Sequence, residues 1–273
     1  MQVILPKTSF PSDNHAPRMH SAFAAMGIGV DSLDYHIFKS AINSYFSLYV
    51  RGKKRLTFHD IDKTYPALKQ VTKAFPGIKA EFQRLMDRKL ILPAYHEVDS
   101  GEKEISATTE HKWNVFMLEL LGHKPPTNRA LCPKTCEVLA KVPGMIQAFF
   151  SILDPRKSVP QHEGPYLGYL RYHLGLHCPR REPPYLLVNN QKYTWRDGHA
   201  VLFDDSYPHE VINDATDYRA VLIVDVLRPL PFTPRQVNKL VAFIARHTYG
   251  RAVAKKVEAF AAEYTKRATR VAA

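Results

Sequence analysis

Two histidines sit in short runs that read as β-structure: His162 in Gln161-His162-Glu163-Gly164-Pro165-Tyr166, and His209 in Asp204-Asp205-Ser206-Tyr207-Pro208-His209-Glu210-Val211. Imidazole ligates iron, zinc, copper and nickel, so the pair offers a metal site without naming the metal. Arg171, His173 and Arg219 lie between and beyond them. In Leu170-Arg171-Tyr172-His173 the strand period of two puts Arg171 and His173 on one face. Arg219 opens the apolar run Ala220-Val221-Leu222-Ile223-Val224, where an unpaired charge would be costly. Its planar fork donates to a carboxylate in bidentate fashion. That carboxylate belongs either to an internal ion pair with Asp204, Asp205 or Asp225 or to a ligand, and on these residues alone the two weigh evenly. Together the five side chains offer what a metal ion and a dicarboxylate need.

The stretch from Phe149 to Pro229 must position these groups. Candidate strands cover 149–153, 169–176, 185–188, 192–195, 200–203, 210–213 and 218–227, with turn signals at Asp154-Pro155, Asn189-Asn190 and Asp197-Gly198. Many short strands at this spacing predict an all-β barrel or double-sheet jelly roll, with Trp113 opening the β-rich part and a short helix over 133–141. No βαβ rhythm or Gly-rich phosphate loop interrupts them, which counts against Rossmann and P-loop folds. Around this core the pattern predicts helices: an amphipathic one over 32–50, one starting at Thr64-Tyr65-Pro66 and interrupted by Pro76-Gly77, and another over 78–89 with Phe82 and Leu85 inward. Residues 100–109 read as a polar loop and residues 1–29 as an irregular arm. Thr233-Pro234-Arg235-Gln236 reads as a capping box opening a helix with the apolar stripe Val237, Leu240, Val241 and Ile244. Gly250 is expected to break it before a last helix marked by Val253, Val257, Phe260 and Tyr264. That helix carries Lys255, Lys256, Lys266, Arg267 and Arg270 on its other face. The division expected is 1–110 as arm and helices, 111–230 as core and 231–273 as terminal helices, in one compact catalytic unit.

With 273 residues, 45% of them apolar, the chain can bury a substantial core. Its net charge of +12 favours anionic partners. The basic residues are dispersed, apart from runs such as Arg51-Gly52-Lys53-Lys54-Arg55, which argues for a solvated face over a nucleic-acid partner. A packed C-terminal helix is favoured over one lying on an anionic membrane, though its basic face allows peripheral contact. Three cysteines, Cys132, Cys136 and Cys178, are too few for a disulfide scaffold and point to a reducing compartment. Without a spanning apolar run, the expectation is a cytoplasmic protein.

Residues 113 to 229 resemble the aspartyl/asparaginyl β-hydroxylase family of Fe(II)- and 2-oxoglutarate-dependent oxygenases, which includes a lipid A hydroxylase branch. The matching pieces are Cys132-Pro133-Lys134-Thr135, His162-Glu163-Gly164-Pro165, Leu170-Arg171-Tyr172-His173-Leu174-Gly175-Leu176, Trp195-Arg196-Asp197-Gly198, Leu202-Phe203-Asp204-Asp205-Ser206-Tyr207-Pro208-His209-Glu210 and the run from Arg219 to Pro229. The resemblance implies a mainly β core, a double-stranded β-helix of the jelly-roll, cupin-like kind, with N- and C-terminal helices packed around it. It implies His162 and His209 as iron ligands, Arg171 and His173 at the 1-carboxylate of 2-oxoglutarate, and Arg219 and Ser151 at the distal carboxylate. Asp205 matches a residue that contacts metal-bound water. Most of the wider superfamily has Asp or Glu two residues after the first histidine, but here that residue is Gly164, as in the aspartyl/asparaginyl branch. Glu163 on a strand would point to the other face and is no substitute.

The implied reaction uses O2 and 2-oxoglutarate to hydroxylate an unactivated C–H bond. The first expectation for the substrate is the β-carbon of an aspartyl or asparaginyl-type residue in a peptide, on a carrier or in a small molecule, with Arg180 and Arg181 engaging the substrate acid. The second is an acyl chain of a lipid A-type phosphorylated lipid. A third is a noncatalytic β-barrel that binds an anion through the same arginines.

Overall fold

The computed structural model describes residues 33–271, with side chains from Lys39 to Tyr264 apart from Lys53. The arm expected over residues 1–29 and the side chains of Lys266, Arg267 and Arg270 lie outside the described residues. The strands are β1 (Phe58–His59), β2 (Trp113–Leu120), β3 (Met145–Leu153), β4 (Val159–His162), β5 (Tyr169–His177), β6 (Tyr185–Val188), β7 (Gln191–Thr194), β8 (Ala200–Phe203), β9 (His209–Ile212) and β10 (Arg219–Leu227). They pair antiparallel in two sheets, ordered β1-β8-β5-β10-β3-β2 and β4-β9-β6-β7. Consecutive strands alternate between the sheets from β3 through β5 and again from β8 to β10, which is the double-stranded β-helix the sequence led us to expect.

Alternation along the long strands divides two cores. Phe150, Ile152, Leu170, Tyr172, Leu174, Leu222 and Val224 face outward, under the helices α3 (Leu68–Lys73), α4 (Phe75–Asp87), α8 (Pro133–Leu139) and α10 (Arg251–Val271). Phe149, Leu153, Val221, Ile223, Val201 and Phe203 face inward and meet Leu186, Val188 and Val211 of the small sheet. The same inward parity carries Ser151 on β3, Arg171 and His173 on β5, and Arg219 and Asp225 on β10. The interior therefore contains a polar set within an apolar wall. Phe82 and Leu85 are buried in the outer core as expected, and Cys132 and Cys136 are buried free thiols. The remaining helices are α1 (Leu33–Ser47), α2 (Ile61–Thr64), α5 (Tyr95–Val98), α6 (Lys103–Ser106), α7 (Pro126–Leu131) and α9 (Phe232–Ala245).

Several helical expectations are corrected. Thr64 closes α2 instead of starting a helix; the cap there is Asp60, whose carboxylate accepts from the Lys63 N–H at 3.1 Å. Pro76 and Gly77 lie in the first turn of α4, where a missing N–H is no loss. Residues 100–109 are not simply a loop: Ser100–Glu102 is a 3₁₀ turn capped by the Asp99 carboxylate and runs into α6. Helices this short have no readable period. Thr233 does not cap α9, which begins at Phe232 after Pro231. The α9 stripe is turned as well: Asn238 is buried, its amide donating to the Gly168 carbonyl at 2.5 Å, which leaves Leu240 57% and Phe243 59% exposed. Gly250 does not break the chain, which passes through a π-helical turn into α10; a Cβ there would lie 3.1 Å from the Leu121 side chain.

Candidate active site

His162 and His209 are direct cross-strand partners on β4 and β9, so their rings meet with centroids 4.1 Å apart. The Nδ1 of His162 lies 2.8 Å from the Pro160 carbonyl and that of His209 lies 2.9 Å from the Tyr207 carbonyl. A carbonyl only accepts, so each Nδ1 carries its proton and, in the neutral ring, Nε2 keeps its lone pair. Burial, and then the neighbouring His209 ring, drives the His162 pKa down to about 3, keeping the imidazole neutral. This is the tautomer and orientation that a metal-ligating histidine requires.

The Nε2 of His209 also faces a carboxylate oxygen, Asp205 Oδ1, at 3.2 Å. A lone pair and a carboxylate oxygen at that separation repel unless a proton or a cation lies with them. Asp205 is buried, which alone would raise its pKa, but the Arg171 guanidinium beside it outweighs the burial and holds the carboxyl well below the usual range. Its Oδ2 accepts from the Tyr169 hydroxyl. The Asp205 carboxylate occupies the space beside Gly164: a Cβ on that glycine would lie 2.4 Å from Asp205 Oδ2 and 2.4 Å from the Tyr169 hydroxyl. The Gly164 N–H donates to the Asp205 carbonyl at 2.8 Å. The acid missing at residue 164 is thus replaced in space by one from the turn between β8 and β9. Among the described residues no three His, Cys, Asp or Glu side chains are arranged to hold a metal ion. What the described residues offer a metal is two imidazole Nε2 atoms, with the Asp205 carboxylate beside them.

Arg171 is not free to take a ligand carboxylate with its whole fork. It stands opposite Asp225 across β5 and β10 and donates to it through Nε and Nη2 at 2.8 and 2.9 Å, while Nη1 lies 3.0 Å from Asp205 Oδ1. His173, one step along the same face, stacks on Trp195 with centroids 5.8 Å apart, and neither ring nitrogen has a partner among the described residues. Burial, then Arg219 and Arg171, hold its pKa well below the ordinary value.

Arg219 is 2% exposed and lies over the Trp195 ring at 4.4 Å. Its described hydrogen bond is to Ser151 Oγ at 3.3 Å, which also accepts from Trp113 Nε1 at 2.9 Å. None of the three acids considered as its internal partner reaches it. Asp204 is held by Arg55 and Arg228, each at 2.8 Å, and Asp205 and Asp225 are held by Arg171. Burial drives the Arg219 pKa down to about 10, so it is still a cation at neutral pH. Its Nε, the Trp195 Nε1 and both His173 nitrogens are buried donors or acceptors without partners among the described residues. Such a cluster is costly in an apolar interior and is satisfied by an anion with several acceptor oxygens. Ser151 and Arg219 are thus brought together as expected, with Trp195, which the sequence reading quoted without giving it a role, as their neighbour.

A cleft opens beside His162. His162, Arg171 and Asp205 line its floor, and Ile42, Ile146, Pro165, Tyr166, Val241, Ala242 and Ala245 form apolar walls. Arg180 and Arg181 are exposed on the segment joining β5 and β6 and are not among its lining residues. Sequence reasoning missed Tyr95, Glu102, Tyr169 and Tyr249, which also line the cleft; Tyr169 shares the strand parity of Arg171 and His173, a signal that could have found it, whereas the other three lie outside the period of any expected inward face.

The family described as Aspartyl/Asparaginyl beta-hydroxylase matches residues 72–229. The ornithine lipid ester-linked acyl 2-hydroxylase of Rhizobium tropici is 35% identical over 233 residues, covering 84% of this chain and 82% of that protein. The human aspartyl/asparaginyl beta-hydroxylase is 38% identical over 135 residues, which is 48% of this chain but 18% of the human protein. Among solved structures, the cupin domain of Schizosaccharomyces pombe Cnp3 aligns with 36% of this chain and 62% of its own at 9% identity and a TM-score of 0.28. Between them, the matched region and the Rhizobium relative span the paired histidines, both arginines and the strands that carry them: the chain is a member of the aspartyl/asparaginyl beta-hydroxylase family.

Proposed function

We propose that this hydroxylase uses Fe(II) and 2-oxoglutarate to hydroxylate an acyl chain of an amphiphilic lipid. The observation that carries the cosubstrate is Arg219, a buried cation with no acid of its own, beside Ser151 and the unpartnered edges of Trp195 and His173. In this reading His162 and His209 hold the metal through Nε2, and Arg219 and Ser151 hold the distal carboxylate of 2-oxoglutarate. His173 stands toward the other end of the cosubstrate. Arg171 is a positioning residue that fixes Asp205 and keeps it ionised, and Asp205 offsets part of the metal's charge where Gly164 supplies none. The inward wall of Phe149, Phe203, Val221 and Ile223 excludes water. When bound, the metal and cosubstrate supply the oxidation: 2-oxoglutarate and O2 give succinate and CO2, and one oxygen atom enters the substrate C–H bond.

The acyl substrate is favoured over an aspartyl residue by the cleft. Its walls are mostly apolar, and the arginines expected to meet a substrate acid are not in it. One of its walls is α9, whose other face exposes Phe232, Leu240, Phe243 and Ile244 beside Arg235, Lys239 and Arg246. An apolar helix face edged with cations suits the surface of an anionic bilayer, where such a substrate resides. Among the described residues no helix is long and apolar enough to cross one. The Rhizobium relative, named for an acyl 2-hydroxylation, adds support. The test is anaerobic reconstitution with Fe(II) followed by 2-oxoglutarate, O2 and lipid, reading succinate and the mass of the acyl chain. A gain of one oxygen on the chain is expected. Oxygen gained instead by an aspartyl peptide, with the lipid unchanged, would sink the lipid reading and keep the hydroxylase.

A further inference from the structure

The turn joining β8 to β9 brings in Asp205 and His209, and its first residue is tied down from two sides. Asp204 is fully buried, and its carboxylate is shared by two arginines from distant parts of the chain: Arg228 donates to Oδ1 and Arg55 Nε to Oδ2, each at 2.8 Å. Ser206 donates to Oδ1 as well, through its N–H and its hydroxyl. The two arginines reach past Asp204 in different directions. Arg228 donates to the Leu167 and Tyr169 carbonyls at 2.6 and 3.3 Å, and the Tyr169 hydroxyl in turn donates to Asp205. Arg55 lies over the Tyr207 ring at 3.7 Å, donates to the Ser206 carbonyl and hydroxyl, and accepts the Tyr207 hydroxyl on its own carbonyl at 2.9 Å. The Tyr207 carbonyl is the acceptor for His209 Nδ1. Arg55 stands outside the family-matched residues 72–229, in the basic run that the sequence suggests is a solvated face. Arg51 and Lys54 of that run are exposed, whereas Arg55 is turned inward just before β1 pairs with β8.

We infer that Arg55 is a positioning residue for the metal site. One edge of its guanidinium holds Asp204, another holds Ser206, and its plane bears on Tyr207, so the backbone carbonyl that sets the direction of the His209 ring is fixed from both ends of the turn. An imidazole hydrogen-bonded through Nδ1 aims Nε2 wherever that acceptor dictates, and loosening the acceptor loosens the ligand. A lysine would keep a charge beside Asp204 but has neither the fork nor the plane. The N-terminal region is thereby a working part of the site and not only a cover for the β-helix. This role rests on reading His162 and His209 as metal ligands; it is independent of the substrate.

The test is anaerobic titration of the full chain with Co(II), followed by its visible d–d absorption, for the unaltered protein, Arg55→Lys and Tyr207→Leu. Arg55→Lys retains a cation beside Asp204 and is expected to melt close to the unaltered chain, yet to bind Co(II) about tenfold more weakly and with displaced absorption bands. Tyr207→Leu leaves both ion pairs of Asp204 in place and removes the ring on which Arg55 bears, so a comparable weakening is expected without disturbing the buried charges. With Co(II) saturating every protein, 2-oxoglutarate affinity should be unchanged, because Arg219 and Ser151 are untouched. Unaltered Co(II) affinity and bands in either variant, or a fall in melting temperature as the sole effect, would show Arg55 to be only a counter-charge for Asp204 and overturn the positioning role. Failure of the unaltered chain itself to bind Co(II) would remove the metal reading and this role with it, a result distinct from metal bound equally by all three proteins.

Discussion

Arg171 and Arg219 both point inward from the large sheet of the same barrel, the first 16% exposed at the cleft and the second buried, and they are in opposite electrostatic states. Arg171 faces two carboxylates and holds both; Arg219 faces a serine hydroxyl and an indole ring. The first is internal structure, complete without a ligand. The second is a buried cation with no acid beside it among the described residues. An arginine on a core strand therefore says little about binding until the acids around it have been assigned.

Replacing each arginine by methionine separates the two states. Arg171→Met leaves Asp205 and Asp225 buried without their cation, and the chain is expected to lose about 3–5 kcal/mol of stability. Urea unfolding without ligand measures it, and a loss under 1 kcal/mol would mean that the carboxylates are paired by something else. Arg219→Met removes a charge with no internal partner. The unliganded chain is expected to be as stable as before or more so, while 2-oxoglutarate binds roughly 100-fold more weakly, as loss of a buried charge-assisted contact implies. Calorimetry and the same urea titration read both. Unfolding of that variant would show that Arg219 serves the fold after all. The smallest effect belongs to the open side of the cleft: Leu240→Ser with Phe243→Ser is expected to lower partitioning onto anionic vesicles by about tenfold, with 2-oxoglutarate affinity unchanged. Flotation with and without anionic lipid checks it, and equal flotation of the two proteins would detach α9 from the membrane.

The β-helix was legible because its strands alternate and its turns carry strong local signals. Asn189 and Asn190 both adopt positive φ at the β6–β7 turn, and Gly198 does so after Asp197, as those residue types suggest. The pairing of His162 with His209 was legible from residue type and flanking pattern. The state of the arginines was not, because Asp204, Asp205 and Asp225 are equally plausible partners in the sequence and tertiary placement alone assigns them. Glu102 was invisible for a different reason. It lies in a polar stretch whose three- and four-residue helices have no period, so nothing local announces that its side chain is buried. The α9 stripe was read correctly as apolar but aimed at the wrong surroundings, since one buried amide, Asn238, sets the rotation of that helix.

Gly164 and Asp205 compete for a single volume, and this constrains how the site can change by mutation. A carboxylate introduced at residue 164 while Asp205 remains must displace it or the Tyr169 hydroxyl. Either substitution taken first removes something the site uses, and only the pair exchanged together keeps one acid beside the histidines. The two positions should therefore show strong sign epistasis: a double-mutant cycle across them is far from additive. A two-histidine site of this kind and a two-histidine, one-carboxylate site are separated by a fitness valley, although they differ by the origin of a single carboxyl group.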